Sequence, residues 1–323
     1  MITLELPGLE AHNPLGLFAA LGLLRVLDQH AASAGGEAPR LSFVDRGTWI
    51  ARLSTACTRG EIDDVVLRHA AAQADNVALQ LQYNDDGERT APGTAGATRD
   101  LKPSPAGARS LLASVAEAAL TSPRTGPRAD AAALTAAWFS ERVQDNNGNT
   151  KPTAFHFTAG QQALLEMVEQ LRVGLTADHL REALDGPWRN TSTLPSLGWD
   201  ASVSRLYALR ASNPSTEKRG SVPGANWLAV LGLAFFPVVK RRDRLATTAV
   251  RGGWKSSDFV WPVWTPPATA RTIASLLRLP RASWTAAARA SYGIATVFRA
   301  SILRSDQGGY GSFTPADVVP PAG

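Results

Sequence analysis

The segment from Trp227 to Val239, W-L-A-V-L-G-L-A-F-F-P-V-V, holds no charged residue and runs straight into Lys240-Arg241-Arg242-Asp243-Arg244. A helix that is apolar on every face has to be buried, and this one falls short of the roughly 18–20 residues that span a bilayer. The fold must therefore surround it while letting basic residues emerge at both ends, since Lys218-Arg219 lies just upstream. Between Arg205 and Lys255, ten Lys/Arg face only Glu217 and Asp243. Loops of one charge sign around a buried element point to a polyanionic partner, of which nucleic acid is the commonest.

A second segment has the same texture. Asn13-Pro-Leu-Gly-Leu-Phe-Ala-Ala-Leu-Gly-Leu-Leu is echoed by Asn226-Trp-Leu-Ala-Val-Leu-Gly-Leu-Ala-Phe-Phe. Asn13 is placed as an N-cap with Pro14 at the first helical position, and Leu15 to His30 reads as a buried helix. Gly22 and Gly232 each cost about 1 kcal/mol against Ala inside a helix. A close approach of two backbones is the reason to keep them.

The rest of the chain reads as α+β, with mixed helices, short and mostly antiparallel sheets, and two subdomains. Residues 1–185 form an acidic, helix-rich region with an inserted loop near 84–105. Residues 186–313 form a basic α+β region, and 314–323 a Pro-rich disordered tail. Strands are expected at Ile2–Leu6, Ala154–Thr158, Val203–Arg210 and Thr296–Arg304, and a strand or hairpin at Leu41–Leu53. A further pair, Arg244–Val250 and Phe259–Trp264, is expected around Gly252-Gly253. Helices are expected at Glu61–Ala78, Ala106–Thr121, Asp130–Val143, Ala159–Leu171 and Thr176–Leu184, with short ones at Thr272–Leu279 and Ser283–Tyr292.

Charge divides along the same line. The chain is net +5, residues 201–323 are +11, and residues 1–200 are left with −6. Such a split suits a protein that offers one face to phosphate and another to protein. The single cysteine, Cys57, rules out an internal disulfide framework and fits a reducing cytoplasm. The N-terminus M-I-T-L-E-L-P has no signal-type pattern, so a cytoplasmic location is expected, with no membrane partner.

Signatures of catalysis are missing. The five histidines, His12, His30, His69, His156 and His179, show no H-x-x-x-H spacing, and there is no C-x-x-C, G-x-S-x-G or G-x-x-x-x-G-K-[ST]. No cofactor, no metal and no catalytic residue is expected. Asp63-Asp64 and Asp85-Asp86 read as caps and loop residues, and His156, between two phenylalanines on an expected strand, as structural. Trp261 and Trp264 read as core. Trp254, beside Lys255, is expected at the surface, where an aromatic among cations stacks bases.

Several segments together carry a resemblance. They are H-N-P-L-G-L-F-A-A-L-G-L-L-R-V-L, F-T-A-G-Q-Q, G-W-D-A-S-V-S-R-L-Y-A-L-R-A-S-N-P-S, P-G-A-N-W-L-A-V-L-G-L-A-F-F-P-V and F-V-W-P-V-W-T-P-P. In these, over roughly residues 1–30 and 155–270, the chain resembles proteins encoded beside type I-G (formerly I-U) CRISPR systems. Those are the large-subunit-like group and a family described as an extension of the helicase–nuclease.

The resemblance implies a non-catalytic interference protein, a subunit of or adaptor to a type I RNA-guided surveillance complex. Its partners would be target DNA, guide RNA, the other effector subunits and the helicase–nuclease. In such complexes guide pairing reads sequence and protein holds the backbone. The expected contacts are Arg205, Arg210, Lys218, Arg219, Lys240, Arg241, Arg242, Arg244, Arg251, Trp254 and Lys255, with Asn213 and Asn226 as polar readers at loop tips. Two alternatives stay open. One is a divergent metal-dependent nuclease built from Asp63, Asp64, Asp85, Asp86 or Asp200. The other is a protein-only scaffold whose basic half meets an acidic partner.

Overall fold

The computed structural model describes residues 1–80, 84, 86–88, 100–121, 125–158, 162–202, 220–280, 284–304 and 310–321. In chain order the elements run β1 (Ile2–Glu10), α1 (Pro14–Ser33), β2 (Arg40–Asp45), β3 (Trp49–Thr55), α2 (Arg59–Ala72), α3 (Val77–Gln80), α4 (Pro105–Thr121), α5 (Pro127–Trp138), β4 (Phe139–Gln144), β5 (Thr150–Pro152), α6 (Leu164–Gly174), α7 (Ala177–Asp185) and α8 (Pro223–Gly232). Then follow β6 (Val238–Arg241), β7 (Arg244–Thr247), β8 (Val250–Gly252), β9 (Ser256–Trp264), α9 (Ala270–Leu277), α10 (Ala286–Tyr292), β10 (Ile294–Arg304), β11 (Gly311–Phe313) and β12 (Asp317–Val318). The fold is α+β with several small antiparallel sheets. One sheet runs β1-β3-β2, a larger one β11-β10-β9-β8 with β12 also on β10, and β4-β5 and β6-β7 are hairpins. Among the described residues no helix is long and apolar enough to cross a membrane.

The two apolar helices are the centre. Asn13 caps α1, its Oδ1 accepting from the Leu15 amide at 3.1 Å, with Pro14 in the first turn. α1 crosses α8 glycine to glycine. A Cβ on Gly22 would collide with the Leu228 carbonyl, and one on Gly232 with the Phe18 carbonyl. Only glycine lets these backbones come so close.

Around the crossing, Phe18 meets Phe155, Phe236 and Phe259 with ring centroids 5.0, 5.3 and 5.3 Å apart, and Trp199 edge-on at 5.8 Å. Such aromatic geometry adds to plain area burial. Trp261 and Trp264 are buried as expected, their indole N–H groups donating to the Ala11 and Leu41 carbonyls at 2.8 Å each. Residues from both expected regions thus share one apolar core.

Buried polar groups pin the layers. Asp130 of α5, fully buried, accepts from Arg25 and Gln29 of α1 at 2.7 Å each and from His69 of α2 and Gln73, just past its end, at 2.8 Å each. Burial alone would raise its carboxyl, but the His69 hydrogen bond and Arg25, with Gln29, hold it below its ordinary value. Asn13 donates to Asp200 at 2.8 Å, which joins the start of α1 to the G-W-D turn.

Four expectations need correction. The helix expected to reach Val143 ends at Trp138, and Phe139–Gln144 pairs as a strand with β5. Its alanine-rich first part is helical, while Phe139–Gln144 holds no alanine and sets Phe139 and Val143 into a strand. Residues 154–158 are a turn rather than a strand, so Phe155, His156 and Phe157 are all buried. There the His156 Nε2 meets Asp100 at 2.7 Å and Thr158 at 2.9 Å. Residues 314–321 are ordered: β12 pairs with β10, Val319 is buried, and Arg289 donates to the Val319 and Pro320 carbonyls at 2.9 and 2.8 Å. Arg244–Thr247 pairs with β6, while only Val250–Gly252 pairs with β9. The expected strand at 203–210 lies outside the described residues.

Candidate functional site

Immediately after α8 and its short 3-10 extension, Leu233–Phe235, the chain turns out of the core into the β6-β7 hairpin. Val238 and Thr247 at its base are buried, while Lys240, Arg241, Arg242 and Arg244 are exposed. Arg241 pairs directly across from Arg244. Like charges in that position destabilise a hairpin. Arg242, at the tip, has φ 55°, the left-handed region. For a residue with a side chain this conformation costs about 1–2 kcal/mol. Local preference and local charge both work against this tip, a pattern found where function rather than folding selects the residues.

The hairpin forms one side of a cleft of about 1270 Å³. The β8–β9 turn, Gly252 to Trp254, also lines it, together with β5 and the end of β10. Its cations are Lys151, Arg241, Arg242, Arg244, Arg251 and Arg304, and Asp243 is the acid that lines it.

Arg304 is anchored. Its guanidinium donates to the His156 and Ala154 carbonyls at 2.8 Å each and lies 3.6 Å from the centre of the Trp254 ring. Burial pushes Arg304 down to about 10, which leaves it charged at neutral pH. Lys151 Nζ sits 5.2 Å from the same ring. Burial, then the nearby Arg244 and Arg304, lower the Lys151 ammonium below its ordinary value, with Asp145 opposing. A lysine held in a positive field is suited to an incoming anion.

The expected contact residues divide into three groups. Arg241, Arg242, Arg244, Arg251 and Trp254 converge on the cleft. Lys240 and Lys255 are exposed but are not part of its lining. Arg205, Arg210, Lys218, Arg219 and Asn213 lie outside the described residues. Asn226 is no loop-tip reader. It is buried in α8, donating to the Val222 carbonyl and accepting from the Leu197 amide, both at 3.0 Å. Trp254 is half-buried with Arg304 over its ring, so that face is closed to a base.

Lys151 and Arg304 were not legible as site residues. Lys151 is an isolated cation in the acidic half, after an Asn-rich turn, and Arg304 ends an ordinary strand. Only tertiary pairing of distant strands carries them into the cleft.

The acidic residues considered for a nuclease do not gather. Asp63 is paired with Arg59 on its own helix at a distance typical of a close ion pair, 2.6 Å. Asp64 and Asp86 are exposed, Asp200 sits beside Asn13 at the start of α1, and Asp85 lies outside the described residues. Among the described residues no group of three or more His, Cys, Asp or Glu is placed to hold a metal. No protein-family model matches the chain, and no curated protein matches it.

Proposed function

We propose that the chain binds nucleic acid through its phosphate backbone in the Arg241–Arg304 cleft. Its role is that of a non-catalytic subunit of, or adaptor to, a type I RNA-guided surveillance complex and its helicase–nuclease, working in the cytoplasm. The observation that carries the binding reading is the unbalanced charge. Lys151, Arg241, Arg242, Arg244 and Arg251 line one cleft with no ion pair to a carboxylate among the described residues. Crowded, uncompensated cations raise the local potential and attract polyanions, and phosphate oxygens supply the missing counter-charge. Membership of a CRISPR complex rests on the sequence resemblance.

The test is a salt titration of DNA and RNA binding by fluorescence polarization. Arg241→Ala with Arg244→Ala should weaken binding about tenfold at low salt. It should also flatten the slope of log affinity against log salt by about 0.7–0.9 for each phosphate no longer neutralised. An unchanged affinity and slope would remove the reading, and tight binding to an acidic protein alone would replace it with the scaffold alternative. For the complex, a tagged chain should bring down effector subunits or the helicase–nuclease. Recovery without them under conditions that keep the complex intact would remove that part.

A further inference from the structure

We infer that the cleft takes a single strand rather than a duplex, with phosphates seated on Lys151, Arg244 and Arg304. This rests on the phosphate-binding reading above and adds the form of nucleic acid that the site accepts.

The cations lie at two depths. Arg241, Arg242 and Arg244 are exposed on the hairpin, while Lys151 and Arg304 are half-buried and come from strands far apart in sequence. The inner pair is preorganised. Two backbone carbonyls and the Trp254 ring fix Arg304, and Lys151 stands near the same ring. Groups held in place before binding lose less freedom when a ligand arrives.

Shape then selects the ligand. A duplex is a convex rod that proteins meet by pushing a helix or ribbon into its grooves. The exposed β6-β7 ribbon is of a kind that reaches a groove, but Lys151 and Arg304 are half-buried in the cleft that the hairpin and the Gly252–Trp254 turn both line. Half-buried cations in a cleft are reached by a chain one nucleotide wide, as in other positively charged grooves that track a single strand. The hollow of about 1270 Å³ also exceeds the roughly 300–1,000 Å³ of small-molecule pockets. Gly253 adds no side chain to the turn side, and a Cβ there would meet nothing within 4 Å.

Trp254 has an unexpected part in this. With Arg304 across one face, the ring serves to hold a cation that holds a phosphate.

The experiment compares a labelled thymine-only strand of about 20 nucleotides with an adenine–thymine duplex of equal length, using the full chain at one salt concentration. The strand should bind about tenfold or more tightly. Lys151→Ala should weaken strand binding about fivefold, because it removes a recessed phosphate seat, and leave the duplex nearly unchanged. Lys151 has no ion pair or hydrogen bond among the described residues to forfeit, and a melting curve confirms that the variant is folded. Arg304→Lys retains charge but not the planar fork, and should likewise affect the strand selectively.

Equal affinity for strand and duplex, or preference for duplex, would overturn the inference and leave phosphate binding standing. A preference that survives Lys151→Ala and Arg304→Lys unchanged would overturn the seat. No salt-dependent binding to either probe would remove both readings.

Discussion

Two regions of the molecule handle charge in opposite ways. Around Asp130, one buried carboxylate is met by Arg25, Gln29, His69 and Gln73 within 2.8 Å, and three helices are tied together by it. At the β6-β7 hairpin, arginine faces arginine across the strands, a third sits in a left-handed conformation, and Lys151 and Arg304 stand close by. The first region uses charge to hold the fold. The second keeps charge at the expense of the fold, which is sensible if the counter-charge comes from outside. Arginines elsewhere, such as Arg46 on Glu5 and Arg172 on Glu169, are also met by carboxylates, though at the surface. Counting cations along the sequence treats both patterns alike, whereas their partners separate them.

The comparison breaks most readily at Asp130. Asp130→Ala would leave four donors without their acceptor, one of them Arg25, in a buried site. Removing one member of a buried charged network costs about 3–5 kcal/mol. Urea unfolding should show that loss, while nucleic-acid affinity per folded molecule stays near wild type. A stability change below about 1 kcal/mol would mean that the network is not holding the helices.

The glycine crossing gives the next effect. Gly232→Leu should destabilise by on the order of 1–3 kcal/mol, since overpacking forces the helices apart. Even a methyl group meets the Phe18 carbonyl. Its affinity should also be unchanged, because the crossing lies in the core and the cations lie beyond the end of α8. A Gly232→Leu protein that melts like wild type would show that α1 and α8 do not cross at these residues.

The sequence was readable where one residue type answers one local demand. Asn13 and Thr176 cap helices because their side chains reach the first free amides. Gly22 and Gly232 marked a close approach, and the Trp261 and Trp264 segment was core. Reading failed where neighbours in space decide. Phe139–Val143 continued a helical pattern yet pairs with β5, and the Pro-rich tail is fixed by Arg289 from another element. Four of the six cleft cations were visible in the Lys240–Lys255 run, but Lys151 and Arg304 enter it only through the fold. Among the described residues of the segments that carry the resemblance, Asn13 meets Asp200, Trp261 meets Ala11 and Asn226 meets Leu197. These contacts lie in the core and not in the cleft, so the cleft has to be tested directly.

The smallest effect is the most diagnostic, because the two regions predict opposite signs. At a paired arginine, substitution should lower stability. At Arg242 it should raise it. The residue sits at φ 55° on the hairpin tip, between Arg241 and Arg244 with Asp243. Glycine adopts this conformation without the steric penalty, about 1–2 kcal/mol for a side-chain-bearing residue. Part of that gain is returned through the greater freedom of glycine in the unfolded chain, about 0.4–1 kcal/mol. Relief of like-charge repulsion at the tip adds a few tenths more. Arg242→Gly should therefore be stabilised by about 1 kcal/mol and still bind nucleic acid more weakly, with a salt slope flatter by about 0.7–0.9. A rise in melting temperature with unchanged binding would take Arg242 out of the interface. A fall in melting temperature would mean that the tip is held by something other than its own turn, and the contrast with Asp130 would lose its basis.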